Sequence, residues 1–353
     1  MKYWKVHQNI FFTKGFNRTL VLDSLKETIK FIPNELYDKL LEKEFIINRD
    51  DMDIEYFHYL ESNNYIFSDK KKKLKRFIEI SRDFSISYEI GVCVIELSDI
   101  TGKNLFKLIE PDNISTRINQ FNFIFGEFTN EKSILNFIDF INNYEVDLIE
   151  ITLIDGFDNS EFLFSKLNDI NKMFVINNFL KEKIELNDSK YKNRSQTSLD
   201  IKSLKIFPNI YSYFESKVYN IYFYNKIFIG RDSEIKNSKE TDYIYARLEK
   251  LVDLNISDLL NDREFTKNWY SIKEDTIVCN DCEFRDLCSD KRVPTIGNNF
   301  WYHVIECEYN PYVSKWNDEE GYLNLENSGV ILSNENIIIN KQKLESINAK
   351  LWD

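Results

Sequence analysis

With 353 residues, 43% of them hydrophobic and 15% aromatic, the chain has material for two or three packed cores and is not a disordered polymer. Its formal charge of −12 opposes general nucleic-acid binding, which needs clustered Lys and Arg; the basic run "DKKKKLKR" at 69–76 reads as a solvated linker. No run of about twenty apolar residues spans a bilayer, the N-terminus lacks a signal-peptide core, and five cysteines do not make a secreted disulfide framework, so the chain reads as cytoplasmic.

Residues 1–75 have a pattern of their own. "NIFFT" (9–13) and "RTLVLD" (18–23) are strand-like runs joined by the turn "KGFN", and "TIKFI" (28–32) is a third. Pro33 opens a helical stretch in which Leu36, Leu40 and Leu41 recur at helical spacing. A second helix is expected over 49–63 and a closing strand over 64–68. Together these describe a small winged-helix-like module.

Over 76–215 strand and helix candidates alternate. The strands are 84–97, 120–128, 146–154 and 173–180, and the helices are 131–144 and 159–172. Such βαβ alternation predicts a parallel sheet with covering helices, as in part of a (β/α) barrel. The polar segment 186–203 reads as a loop. Over 216–353 the pattern predicts a β-hairpin turning at "GRDSE", a helix near 240–262, the cysteine segment, and a polar tail with a strand at "GVILS" and a final helix. The fold class is therefore mixed, α+β at the ends and α/β in the middle.

Four of the five cysteines stand between 279 and 307: Cys279, Cys282, Cys288 and Cys307. CxxC puts two thiols on one turn, the third follows after five residues, and the fourth comes eighteen residues later. Four thiolates suit tetrahedral zinc or an iron–sulfur cluster, and with only one short pair the spacing leans toward a cluster. Cys93 in "IGVCVIEL" reads as a packed core thiol. His303 lies four residues before Cys307 and is an alternative ligand.

"VCNDCEFRDLC" with "CEYNPYVSKW" (307–316) resembles the SPASM domain of peptide maturases, in particular the non-radical "grasp-with-spasm" branch. "NIFFTKGFNRTLVLD…FIPNELYDKL", "YFYNKIFIGRDSEIKNS" and "FTKNWYSIKED" carry the likeness through most of the chain. The resemblance implies one [4Fe–4S] cluster on Cys279, Cys282, Cys288 and Cys307; zinc is the alternative that the spacing leaves open. It implies a C-terminal SPASM-like domain, a middle segment kept as a radical-enzyme-like scaffold, and an N-terminal peptide-recognition module. The partners it implies are a precursor peptide and an ATP-grasp peptide ligase, with the chain acting as an accessory maturation protein.

Two departures bound that reading. The upstream hairpin and the residues after Cys288 lack the cysteines of a second cluster. The Cx3Cx2C signature that leaves one iron open to S-adenosylmethionine is absent, since Cys93 is the sole cysteine before 279. An iron–sulfur electron carrier and a zinc-stapled interaction scaffold are the competing readings. Leader capture would proceed by strand addition to "TIKFI" or "RTLVLD". Three histidines in no HxxxH arrangement and the absence of any phosphate-binding glycine loop assign the chain no other catalytic step. The aromatic residues Trp301, Tyr302, Tyr309, Tyr312 and Trp316 are expected to shield the metal centre.

Overall fold

A computed structural model describes residues 3–77, 81, 83–86, 88–108, 118–143, 148–170, 172–180, 191–193, 206–297, 300–332 and 337–352. The chain forms two compact units, both discontinuous. The first gathers Met1–Phe84, Lys202–Ile221 and Ser271–Asp353; the second comprises Ser85–Ile201 and Tyr222–Tyr270. The architecture is mixed α/β, with one large, mostly parallel sheet and several small antiparallel ones. Among the described residues no helix is long and apolar enough to cross a membrane.

The first unit opens with β1 (Tyr3–Val6), β2 (Ile10–Lys14), β3 (Arg18–Asp23) and β4 (Thr28–Pro33), followed by α1 (Asn34–Glu42), β5 (Ile46–Ile47), α2 (Ile54–Ser62) and β6 (Ile66–Asp69). β2, β3 and β4 form an antiparallel meander with β3 in the centre, while β1 lies between β5 and β6 in a second sheet. The unbroken apolar run of β3 has a physical reason: the strand is buried on both faces. Val21 packs with Leu36, Leu40 and Phe57 beneath the helices. Leu20 and Leu22 point the other way, into a cluster with Phe284, Leu287, Tyr309 and Trp316 from the far end of the sequence. Paired on both sides, β3 has no open edge for an added strand; β2 and β4 are the edges.

In the second unit β7 (Ile90–Glu96), β8 (Ile118–Phe125), β9 (Leu148–Leu153), β10 (Phe174–Asn178) and β11 (Tyr191–Asn193) run parallel, each beside its predecessor. α3 (Glu131–Asn143) and α4 (Ser160–Leu167) form two of the crossovers. α3 buries Ile134, Phe137 and Ile141, the i, i+3, i+7 stripe of a helix laid on a sheet. β12 (Lys226–Ile229) joins β7 on its other side in parallel, and β13 (Glu234–Lys236) and β14 (Ala246–Arg247) extend the sheet antiparallel. Phe121, Phe123, Phe125, Phe137 and Phe140 fill the core, and Cys93 is buried among them. The segment read as a loop over 186–203 supplies β11; the rest of it lies outside the described residues. The helix expected near 240–262 is instead a strand, a 3-10 turn and two short helices, Ile256–Asn261 and Arg263–Thr266. Asn255 and Asp262 interrupt it, each accepting from a backbone N–H three residues on and starting a new helix.

The chain then returns to the first unit. Three two-stranded ribbons follow: β15 (Thr295–Ile296) with β16 (Trp301–Tyr302), β17 (Tyr309–Asn310) with β18 (Lys315–Trp316), and β19 (Val330–Leu332) with β20 (Ile337–Ile339). The last helix, α5 (Lys341–Trp352), sets Leu344 in a cluster with Tyr312 and Val313.

Candidate metal centre

The cysteine segment is built from short turns instead of regular elements. Val278 has φ 70° and ψ −44°, a conformation that costs a β-branched residue free energy. Cys279–Asp281 is a 3-10 turn that the Cys282 N–H closes onto the Cys279 carbonyl at 3.0 Å, bringing the CxxC thiols to one side. A second turn, Arg285–Leu287, delivers Cys288, which bridges antiparallel to Ile206. Cys307 enters just before β17.

These four cysteines line one cavity of about 30 Å³ with Val278, Phe284, Tyr309 and Trp316. That free volume is about twice what one water needs. Among the described residues no three His, Cys, Asp or Glu side chains converge closely enough to hold a single ion. Burial raises the thiol pKa values of Cys279, Cys282 and Cys288 above the ordinary range, and the thiols' charges act on one another. Lys273 opposes that rise at Cys279 and Cys288, and Arg292 opposes it at Cys279.

The charge beside the thiols is unusual for an interior. The Lys273 side chain is only 4% exposed, and its Nζ lies 3.5 Å from Asp290 Oδ2 and 3.2 Å from His303 Nε2. Arg292 Nε donates to Asp290 Oδ2 at 2.7 Å. Burial would raise the Asp290 carboxyl, yet Lys273 and Arg292 hold it below the usual carboxylate range. Burial, Lys273 and Arg292 drive His303 down to about 3, so its ring is neutral at pH 7. Two cations thus share one carboxylate, a surplus of positive charge that thiolates would neutralise. His303 engages Lys273 and does not line the thiol cavity.

Sequence reasoning did not single out Lys273, Asp290 and Arg292. The last two stand in "CSDKR", directly after the third cysteine, and that adjacency was the available signal. Lys273, six residues ahead of Cys279, carried none. Of the aromatic residues expected around the centre, Tyr309 and Trp316 line the cavity, and Tyr312 is fully buried behind Asp281, to which its hydroxyl donates at 2.7 Å. Trp301 and Tyr302 form β16 and do not line it.

The N-terminal meander is part of this site. Arg18 Nε donates to Glu283 Oε1 at 2.7 Å, and Thr13 Oγ1 donates to Asp286 Oδ2 at 2.6 Å. The Phe16 N–H reaches the Asp281 carbonyl at 2.8 Å. Gly15 lies so close that a Cβ there would fall 2.8 Å from the Glu283 backbone nitrogen. A wider groove of about 420 Å³ runs along β2, lined among others by Phe12, Tyr37, Leu41, Phe45, Lys5 and Arg285. Arg285 lines both cavities, and its guanidinium donates to the Lys14 and Cys282 carbonyls at 2.6 and 3.1 Å.

No family model and no curated protein matches this sequence. Among solved structures, SuiB of Streptococcus suis is similar at 10% identity and a TM-score of 0.24, over 81% of this chain and 94% of that one.

Proposed function

We propose that the chain is an accessory maturation protein for a ribosomally made peptide. On this reading it holds one [4Fe–4S] cluster on Cys279, Cys282, Cys288 and Cys307, captures the precursor peptide through its N-terminal module and works beside an ATP-grasp ligase. The observation that carries the metal half is the gathering of four scarce thiols around one cavity with a surplus of buried positive charge. Protonated thiols would leave Lys273 and Arg292 with Asp290 alone, whereas metal-bound thiolates supply the missing negative charge. A bound cluster would add one-electron redox capacity. The absence of Cx3Cx2C supports a role without S-adenosylmethionine, the parallel sheet of the second unit serving as an inherited scaffold.

The sequence likeness supports the peptide and ligase half, and the open edge of β2 offers a place for an extended chain. Anaerobic purification followed by iron, sulfide and zinc analysis and a visible spectrum tests the metal half. Iron and sulfide near four of each per chain are expected; zinc without iron would overturn the cluster. A pull-down of the chain with its encoded neighbours tests the other half, which fails if neither a short precursor nor an ATP-grasp ligase is retained.

A zinc-stapled scaffold is favoured by one observation. The cysteine turns form the floor under the β2–β3 hairpin, so a metal there would fix the N-terminal module in place. The same metal analysis separates the two readings.

A further inference from the structure

We propose that the groove along β2 docks an extended, acidic peptide segment, which adds to the outer edge of that strand. The inference rests on the peptide-capture reading above and gives it a location and a ligand chemistry. The register fixes which backbone groups are open. The Gly15 N–H donates to the Arg18 carbonyl at 2.9 Å and the Ser24 N–H to the Asn9 carbonyl at 3.0 Å, so the odd-numbered residues of β2 face β3. Ile10, Phe12 and Lys14 therefore turn their backbone groups outward. The Phe12 carbonyl accepts from Tyr213 Oη at 3.1 Å, the Lys14 carbonyl from Arg285, and the Ile10 N–H donates to the His7 carbonyl. Among the described residues the N–H groups of Phe12 and Lys14 and the carbonyl of Ile10 have no partner. Two donors and one acceptor are therefore open to an added strand, which would meet the Tyr213 and Arg285 side chains at the other two carbonyls.

The walls define the occupant. Phe12 lies 5.7 Å from Phe45, nearly parallel to it, and 5.6 Å from Tyr37, and the adjacent Leu41 is 51% exposed. This shelf suits alternate apolar side chains. Lys5, Lys14, Lys217 and Arg285 line the groove against the single carboxylate of Glu274. Lys14 pairs with Asp38 and Lys217 with Asp286, each at 2.7 Å, which leaves Lys5 and Arg285 without a carboxylate partner among the described residues. In a chain of net charge −12, a cationic groove beside an open strand edge selects acidic segments.

The test uses the full chain, purified anaerobically, and a fluorescein-labelled peptide of about ten residues alternating Glu with Leu, long enough to pair with the whole edge. Two controls replace Glu by Lys, or methylate every second backbone nitrogen. The Glu/Leu peptide is expected to bind about tenfold more tightly than either control, the loss set by about two backbone hydrogen bonds or by charge reversal. Lys5→Glu, at a half-buried position, and Leu41→Asp, at an exposed one, should each weaken it several-fold at unchanged circular dichroism and iron content. Equal binding of all three peptides, indifference to both substitutions, or a concentration-dependent dimer that masks the groove overturns the proposal. A photoreactive Leu in the peptide separates the two levels. Cross-links at β2, Leu41 or Phe45 support the groove; cross-links elsewhere overturn the groove while leaving peptide capture standing; and no binding by an iron-loaded chain overturns both.

Discussion

Arg18 and Glu283, 265 residues apart in sequence, meet at 2.7 Å and join the N-terminal meander to the cysteine turns. Glu283 is fully buried, Tyr309 Oη donates to the same oxygen, and the Arg18 guanidinium lies 3.7 Å from the centre of the Phe31 ring. Removing Arg18 leaves a buried carboxylate without its cation, which costs about 3 kcal/mol. Arg18→Met should lower unfolding stability in urea by that order, and Arg18→Met with Glu283→Gln should recover much of it. A single substitution costing under about 1 kcal/mol, the value of an exposed pair, would show that the bridge is not a buried one.

Gly15 tests the same contact by shape instead of charge. An added Cβ would stand 2.8 Å from both the Cβ and the backbone nitrogen of Glu283, and backbone cannot swing aside as a side-chain end can. Gly15→Ala should therefore cost about 1–3 kcal/mol, the range for overpacking. Gly297→Ala, whose Cβ would have the movable Phe300 ring as its nearest neighbour among the described residues, should cost less. Equal effects would contradict the close approach.

The Arg18–Glu283 bridge also marks where the sequence stops being legible. Strands β2, β3 and β4 show plainly as apolar runs, and the helices that follow show helical periodicity in the face that they bury. Parallel strands β7 to β10 were equally plain from β-branched and aromatic runs, whereas the three-residue β11 lies in a polar segment that reads as a loop. The four cysteines stood out by scarcity and spacing. β1 and β5 did not, since short strands take their identity from what they pair with. Nor did the discontinuous first unit: the second apolar face of β3 is answered by residues past 280, and only distant contacts reveal that pairing. Lys273 reads as an ordinary surface lysine until the fold buries it.

If the four thiols hold a metal as proposed, replacing Cys279, Cys282, Cys288 or Cys307 by Ser should strip most of it, as read by metal analysis on the purified variants. Cys93→Ser is the control. That thiol is buried in the core of the second unit, where desolvation raises its pKa, and it should retain full metal content. Chelation should also reach the N-terminal sheet. Leu20 and Leu22 share an apolar cluster with Cys282 and Cys307, so amide exchange in β3 is expected to accelerate on the order of tenfold, a loss of about 1.4 kcal/mol of local stability. Unchanged β3 exchange on metal loss would break the link between centre and sheet.

His303 gives the fold a direction of acid sensitivity. Its ring is buried beside Lys273 and Arg292, which with desolvation lower its pKa from 6.5 to about 3. Below about pH 6.5 the unfolded chain binds a proton that the folded chain refuses until about pH 3, so the stability present above this window is lost as pH falls through it. Asp290 is depressed in the same sense, and its share is lost only at still lower pH. Between about pH 6 and pH 4 the wild type should lose on the order of 2 kcal/mol more than His303→Gln, both compared in the same metal state. Parallel pH profiles for the two proteins would mean that the folded chain accepts the proton, and that the ring stands free of the two cations.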